Sequence, residues 1–89
     1  MNTDQFYEIV EAENLDQVKF YIDQDYRTKS SCLMLMERAG TWMTFYVDER
    51  ASIIDTSITI YDSYEEALIG LLERLRHRLK TRKQAERYR

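Results

Sequence analysis

The chain has 89 residues with no proline and two glycines, and 44% of its residues are hydrophobic and 12% aromatic. This composition excludes collagen-like, low-complexity and disordered classes, and the length predicts one domain with a small hydrophobic core. Residues 1–72 hold five basic and fourteen acidic side chains, a net charge of −9, whereas residues 73–89 hold eight basic and two acidic ones, a net charge of +6. Such a division of charge concerns the partners of a protein rather than its fold.

The first residues predict a helix and then a strand. Phe6, Ile9 and Val10 recur at helical spacing behind a capping candidate, Asn2 or Thr3, which indicates a short amphipathic helix over about residues 3–13. The stretch VKFYID, residues 18–23, alternates Val, Phe and Ile with Lys, Tyr and Asp. This period of two is typical of a strand with one buried face.

The middle of the chain predicts two further strands joined by a tight turn. Residues 26–31, YRTKSS, have no apolar period and predict a loop. SCLMLMER, residues 31–38, contains the continuous apolar run 32–36, which indicates a strand covered on both faces. Gly40 fits the left-handed position that follows a type I turn. The next stretch, TWMTFYVDE over residues 41–49, alternates again and predicts the returning strand.

The last part predicts a fourth strand and a long helix. TSITIY, residues 56–61, has the alternation of a strand, and SYEE follows it with a capping box in which Ser63 accepts from an amide and Glu66 reaches back. Behind the cap an apolar stripe marks one face of a helix that runs towards Arg89: Tyr64, Leu68, Leu71, Leu72, Leu75 and Leu79.

These elements predict a two-layer α+β fold in the order α-β-β-β-β-α. A short N-terminal helix and a long C-terminal helix cover one face of a three- or four-stranded antiparallel sheet. Residues 1–89 form a single domain, and residues 81–89 are a basic extension of the last helix. We expect the helices to cover the sheet face that carries Val18, Phe20, Ile22, Met43, Phe45, Val47, Ile58 and Ile60.

The sequence contains no pattern that indicates catalysis, a cofactor or a metal. His77 lies among cationic neighbours on the last helix, and the lone cysteine, Cys32, lies in the most apolar strand. The acidic residues lack the spacing of a calcium loop. Cys32 has no internal disulfide partner, the first residues do not resemble a signal peptide, and residues 32–36 are too short to cross a bilayer. We therefore expect a cytoplasmic protein that is not an enzyme.

The sheet face opposite the helices is the predicted site for a protein partner. It would present aromatic anchors among acidic side chains, because tyrosine and tryptophan are enriched at binding hot spots. A loop or the first helix could instead cover this face. Base stacking there is disfavoured because a negative rim repels phosphates. The candidate partner-binding residues are Tyr21, Asp23, Asp25, Trp42, Tyr46, Asp48, Glu49 and Asp55.

The basic end of the last helix has three interpretations. Its charges can simply favour the helix C-terminus and keep the protein soluble. They can also bind the acidic body of a second copy in a homodimer, or the phosphates of a nucleic acid. The candidate contacts for the second and third interpretations are Arg74, Arg78, Arg82 and Lys83.

Residues 21–75 resemble small bacterial immunity proteins of polymorphic-toxin systems. The similarity lies in SCLMLMER, in TWMTFYVDER, and in the strand that leads to YDSYEEALIGLLERL. It implies an inhibitor that occludes the active site of a toxin, and an acidic surface suits the basic cleft of a nuclease. The basic tail is a departure that this mechanism does not require. The alternatives are a phage-encoded inhibitor of a host defence protein, of the anti-CRISPR kind, and a small regulator that binds nucleic acid through the basic helix.

Overall fold

The computed structural model describes residues 1–87 and confirms an α+β fold with a short first helix, a four-stranded sheet and a long last helix. Short 3₁₀ turns lie at residues 15–17, 26–28 and 55–57. The helices and strands are α1 (Thr3–Ala12), β1 (Phe20–Ile22), β2 (Cys32–Arg38), β3 (Thr41–Val47), β4 (Thr59–Tyr61) and α2 (Tyr64–Arg87).

The sheet is mixed rather than fully antiparallel, which corrects one part of the sequence prediction. Its strand order is β1-β2-β3-β4, and β1 pairs with β2 in parallel, whereas the other two ladders are antiparallel. Residues 23–31 between β1 and β2 do not form a hairpin but cross the sheet, and Tyr26 packs edge-on against Phe45 of β3. The need to cover Phe45 provides a physical reason for this crossing, since the helices occupy the other face.

Both helices lie on one face of the sheet and run in the same direction. Near their N-termini the Thr3 hydroxyl is 2.8 Å from the Tyr64 hydroxyl, and beyond the end of α1 the Glu13 carboxylate accepts hydrogen bonds from Arg76. Between these contacts lies the main core, formed by the apolar stripes of the two helices, two residues of the segment after α1 and two residues of β2. Its buried residues are Phe6, Val10, Leu15, Val18, Leu33, Leu35, Ala67, Leu68, Leu71, Leu72, Leu75 and Leu79.

Each helix begins with a side-chain cap. The Asn2 side chain accepts from the amide of Gln5, and the Gln5 side chain accepts from the amide of Asn2, which completes a capping box. At α2 the Ser63 hydroxyl accepts from the amide of Glu66 at 3.1 Å, as predicted. The Glu66 carboxylate reaches back one residue further than expected, to the amide of Asp62.

The turn between β2 and β3 is tighter than the sequence analysis predicts. Arg38 pairs with Thr41, so the loop contains only Ala39 and Gly40. Both residues have positive φ, 53° and 79°. Two positive values are the signature of a type I′ turn, whose twist matches that of the flanking strands, so the predicted type I turn is wrong.

The predicted assignment of sheet faces is correct for β1 and wrong for β3 and β4. Phe20 and Ile22 pack against the core beneath the helices, as expected. In β3 and β4 the tryptophan and the tyrosines occupy the helix side, and the residues expected there lie on the opposite face or in solvent. The helix side carries Trp42, Tyr46 and Tyr61, and the opposite face carries Met43, Phe45 and Val47.

The last turns of α2 extend beyond the rest of the domain. Leu79 is its last buried residue, and every described side chain from Lys80 to Ala85 is exposed. Arg82 still reaches back and donates to the carbonyl of Gln17 at 2.8 Å. The helix thus continues into the predicted basic extension, residues 81–89, of which residues 88 and 89 lie outside the described residues.

Candidate protein-binding site

An apolar row crosses three strands on the sheet face opposite the helices. Met36 of β2 pairs with Met43 of β3, and Met43 pairs with Ile60 of β4. The two methionines are half-buried, whereas Ile60 is 65% exposed. Ile58, two residues earlier in an extended segment, is 38% exposed and extends the row along the edge of the sheet. We call Met36, Met43, Ile58 and Ile60 the apolar row.

The row is exposed because the loops cover only the other end of this face. A second core cluster lies there, formed by Cys32, Met34, Phe45 and Val47. Tyr26 from the crossing segment covers Phe45, with ring centroids 6.0 Å apart, and Ile53 bridges to Val47 from the segment after β3. Neither segment reaches Ile60.

The aromatic residues predicted as anchors do not lie together. Only Tyr21 is on the face of the apolar row, and the Lys29 ammonium lies 4.4 Å from the centroid of its ring. Trp42 packs against Tyr64 under the start of α2, with ring centroids 4.7 Å apart. The guanidinium of Arg78 lies 3.9 Å from the centre of the Tyr46 ring. Trp42 and Tyr46 therefore stabilise the contact between sheet and helix.

Two of the predicted acidic residues have defined roles within loops. Asp25 caps the 3₁₀ turn at residues 26–28 and forms two hydrogen bonds with the Arg27 guanidinium, which lowers the pKa of the Asp25 carboxyl. The Asp48 carboxylate accepts from the amides of Arg50 and Ser52 and holds the turn after β3.

The remaining acidic candidates are exposed at two separate places. Glu49 and Asp55 lie in the segment after β3. Asp23 lies just after β1, where it adopts a φ of 55°. It lines a shallow hollow of about 550 Å³ together with Asp25, Tyr26, Met36 and Arg38. Asp23 and Asp25 thus adjoin the β2 end of the apolar row.

The basic residues of α2 divide between two sides of the helix. Arg74 and Arg78 are four residues apart and lie on one side, where a groove of about 480 Å³ separates α2 from β4. Arg82, one turn further, donates to the carbonyl of Gln17 instead. Lys83 lies on the other side, in a groove with Glu13 and Leu15. Arg74 is anchored, because its guanidinium donates to the Thr59 hydroxyl at 2.8 Å and to the carbonyl of Ser57.

The apolar row is the part of the site that the sequence analysis missed. Isoleucines at alternate positions of a strand predict a buried face, so Ile58 and Ile60 were expected under the helices. The sequence carries one further signal: the last strand follows the longest irregular segment of the chain. In the structure this strand, β4, holds only three paired residues. A short last strand of this kind is typical of a sheet edge.

No group of three or more His, Cys, Asp and Glu side chains is close enough to hold a metal ion within the described part of the chain. Burial raises the pKa of the Cys32 thiol, which opposes formation of a nucleophilic thiolate. No helix among residues 1–87 has both the length and the apolar character needed to cross a membrane.

Comparisons with protein-family models, with curated proteins and with solved structures gave no match to this chain.

Proposed function

We propose that this chain is a non-enzymatic protein that binds another protein and blocks its action, as an immunity protein neutralises a bacterial toxin. The observation that carries the proposal is the exposure of Ile60, 65% of whose surface is open to solvent beside the half-buried Met43 and Met36. A contiguous apolar surface next to a sheet edge marks a protein interaction site in small soluble domains.

The overall charge supports a basic target, since residues 1–72 carry a net charge of −9. Beside the row at Met36, Asp23 and Asp25 lie together with Arg27 and Arg38, and Asp25 is paired with Arg27. Acidic groups around an apolar contact raise the association rate with a basic protein and disfavour acidic competitors. The resemblance of residues 21–75 to immunity proteins adds support for an inhibitor, and a nuclease toxin with a basic cleft would be the complementary partner.

The structure changes which residues are proposed to bind. Trp42 and Tyr46 are replaced as anchors by Ile60, Ile58 and Met43, with Tyr21 retained on the same face. Asp23 keeps its proposed role in steering the partner, whereas the charge of Asp25 is paired with that of Arg27. Asp48, Glu49 and Asp55 are further from the row along the chain and are proposed only as contributors to the overall negative field.

The test uses two isoleucines of similar exposure on different surfaces. Ile60 lies in the row, and Ile69, 43% exposed, lies on α2. Proteins captured by the wild-type chain in bacterial extract are purified, and their affinity for the wild type, Ile60→Ser and Ile69→Ser is measured by calorimetry. We expect Ile60→Ser to weaken binding by about tenfold or more and Ile69→Ser to change it little.

A second measurement tests inhibition itself. The activity of the captured partner is titrated with the wild-type chain, and complete loss at one equivalent is expected. Equal affinity of both serine variants would exclude the apolar row as the binding surface. Tight binding that leaves the partner fully active would exclude an inhibitor. The identity of the partner, a toxin or a host defence protein, distinguishes the immunity protein from the phage-encoded alternative.

One observation favours a second candidate function, regulation through nucleic-acid binding. Lys80, Arg82 and Lys83 are all exposed on the part of α2 that extends beyond the core. If this end binds phosphates, affinity for a DNA or RNA duplex must fall steeply as salt rises. Removal of residues 83–89 should then weaken binding and reduce the salt slope; the absence of binding at low salt would eliminate this function.

A further inference from the structure

Strand β4 is an edge of the sheet with an open side. It pairs with β3 alone, and the backbone of Thr59, Ile60 and Tyr61 forms no other backbone hydrogen bond within residues 1–87. Alternate amide and carbonyl groups of an edge strand point outward and can pair with another chain. Other side chains of the described region leave Ile60 largely uncovered on this edge.

The two faces of β4 differ in chemistry. On the face opposite the helices, Ile60 is exposed next to Met43. On the helix side, Thr59 and Tyr61 form one wall of the groove of about 480 Å³, and α2 forms the other wall. The α2 wall carries two arginines, Arg74 and Arg78, together with His77 and one acid, Glu73.

The groove has donors available for a carboxylate. The hydrogen bonds that Arg74 makes to Ser57 and Thr59 both use one terminal nitrogen, so its other N–H groups remain free of these bonds. Arg78 lies over the ring of Tyr46 and its side chain is exposed, so its guanidinium is accessible to a carboxylate. A side chain opposite Thr59 on an added strand would lie within about 5 Å of Thr59 and hence beside Arg74.

From these relationships we propose that β4 accepts an extended segment of the partner protein as an additional strand, and that this segment alternates apolar and acidic residues. The inference rests on the proposed function and names the chemistry of the partner. Successive side chains of a strand point to opposite faces. The apolar ones would cover Ile60 and Ile58, and the acidic ones would enter the groove towards Arg74 and Arg78. Main-chain pairing with pockets for alternate side chains is an established mode of peptide recognition.

Two other occupants fit the groove less well. A nucleic-acid strand would meet carboxylates along its path, because Glu73 lines the groove, while Asp55 and Asp62 flank β4 in the sequence. A second copy paired through its own β4 would bring two sets of Arg74 and Arg78 together, with one Glu73 from each copy in the groove. The arginines outnumber these carboxylates two to one, so like charges disfavour that dimer.

The experiment is an unbiased selection of short peptides from a displayed random library against the full-length chain. Selected peptides are synthesised, and their dissociation constants are measured for the wild type, Arg78→Glu, Lys83→Glu and Ile60→Ser. Lys83 is the matched control, since it is an exposed cation on the other side of the same helix. Amide chemical shifts of the isotope-labelled protein locate the bound peptide.

The expected peptides carry Asp or Glu at every second position with apolar residues between them. Arg78→Glu should weaken them by about tenfold or more, Lys83→Glu by less than about threefold, and the largest shifts should lie at Thr59–Tyr61. Peptides without this alternation, equal effects of the two charge reversals, or shifts centred on β1 would overturn the inference. If the selected peptides overturn the inference but still bind more weakly to Ile60→Ser, the proposed function stands. If Ile60→Ser does not change their affinity either, the result counts against the inference and the proposed function alike.

A single-stranded oligonucleotide tests the other occupant of the groove. If it displaces the peptides, binds more tightly than any of them and loses affinity in Arg78→Glu, the groove is assigned to nucleic acid instead.

Discussion

Gly70 of α2 lies directly against the phenol ring of Tyr61 in β4, so close that a Cβ atom at position 70 would overlap the ring. A glycine inside a helix costs about 1 kcal/mol relative to alanine, since it gives up more backbone entropy on folding. At position 70 the lack of a side chain allows α2 to contact β4 at the edge of the sheet. The same absence of a side chain keeps open the groove that Gly70 and Tyr61 line.

We predict that Gly70→Ala destabilises the protein although alanine favours helices. Tyr61 or α2 must shift to admit the methyl group, and such overpacking costs about 1–3 kcal/mol. Urea unfolding measures the change. Thr81→Ala, at an exposed position of the same helix, is the control and should be neutral or slightly stabilising. If Gly70→Ala instead gains the full amount of about 1 kcal/mol that alanine brings to a helix, then the ring of Tyr61 does not obstruct this position.

A substitution at Thr44 is predicted to stabilise the protein, in contrast to Gly70→Ala. The Thr44 side chain is fully buried, and its hydroxyl has no hydrogen-bond partner among the described residues. Replacement by valine keeps the shape and removes the unsatisfied polar group, so we expect Thr44→Val to stabilise the fold by about 1 kcal/mol.

The matched control for Thr44 is its cross-strand neighbour. Thr59 pairs with Thr44 in the β3–β4 ladder, and its hydroxyl accepts a hydrogen bond from Arg74 at 2.8 Å. Thr59→Val should therefore destabilise the protein by about 1 kcal/mol, because the Arg74 guanidinium loses one of its two acceptors and keeps only the Ser57 carbonyl. Thermal unfolding of both variants gives the test; a destabilising Thr44→Val would mean that the Thr44 hydroxyl is satisfied.

Most elements of this fold are predictable from local sequence signals. The Asn2 cap, the stripe of leucines in α2 and the continuous apolar run of β2 each depend on side chains within a few residues of one another. Such signals reflect the periods of helix and strand and the chemistry of helix ends, which act wherever the segment lies in the molecule.

The faces of β3 could not be predicted because both carry large apolar side chains. Alternation shows that Trp42 and Tyr46 share one face and Phe45 the other, but not which face the helices cover. The crossing segment decides this: it carries Tyr26 over Phe45 and makes β1 parallel to β2. The location of the apolar row depends on that long-range choice, so the sequence alone assigns Ile60 to the core.

The turn between β2 and β3 has a residue poorly suited to its backbone. Ala39 has a φ of 53°, a conformation in which a Cβ atom costs about 1 kcal/mol. Asn-Gly is the preferred pair for a two-residue turn in which both φ angles are positive. We expect Ala39→Asn to stabilise the protein by about 0.5–1 kcal/mol. Gly40→Ala should do the reverse through the backbone alone, since no atom lies within 4 Å of the added methyl group. Chemical unfolding checks both; a destabilising Ala39→Asn would contradict the type I′ geometry.

The pair of Glu13 and Arg76 predicts how stability depends on pH. The hydrogen bonds from Arg76, at 2.8 and 2.5 Å, lower the pKa of Glu13 below its ordinary value. A folded-state pKa below the unfolded one contributes stability above the unfolded value, and this contribution is lost as pH falls through the folded pKa. Arg76→Gln should be slightly less stable than the wild type at neutral pH, and this difference in the free energy of unfolding should disappear in acid.

Urea midpoints of the wild type and Arg76→Gln from neutral pH down to about pH 2–3 test that prediction. Lys80→Gln removes a neighbouring cation that forms no ion pair among the described residues, so it controls for the change in net charge. If the difference in stability between the wild type and Arg76→Gln is as large at the lowest pH as at neutral pH, then Arg76 stabilises the protein through contacts other than those with the Glu13 carboxylate.

The extended end of α2 should contribute little to the stability of the domain. The side chains from Lys80 to Ala85 are exposed, whereas Leu75 is fully buried four residues before the last core residue, Leu79. Deletion of residues 83–89 retains the bond from Arg82 to Gln17 and should change the free energy of unfolding by less than about 0.5 kcal/mol. Leu75→Ala should cost about 2–5 kcal/mol through the cavity that it leaves. Urea unfolding of the two variants measures this contrast, and a truncation as costly as the core substitution would mean that the basic end packs against the body of the protein.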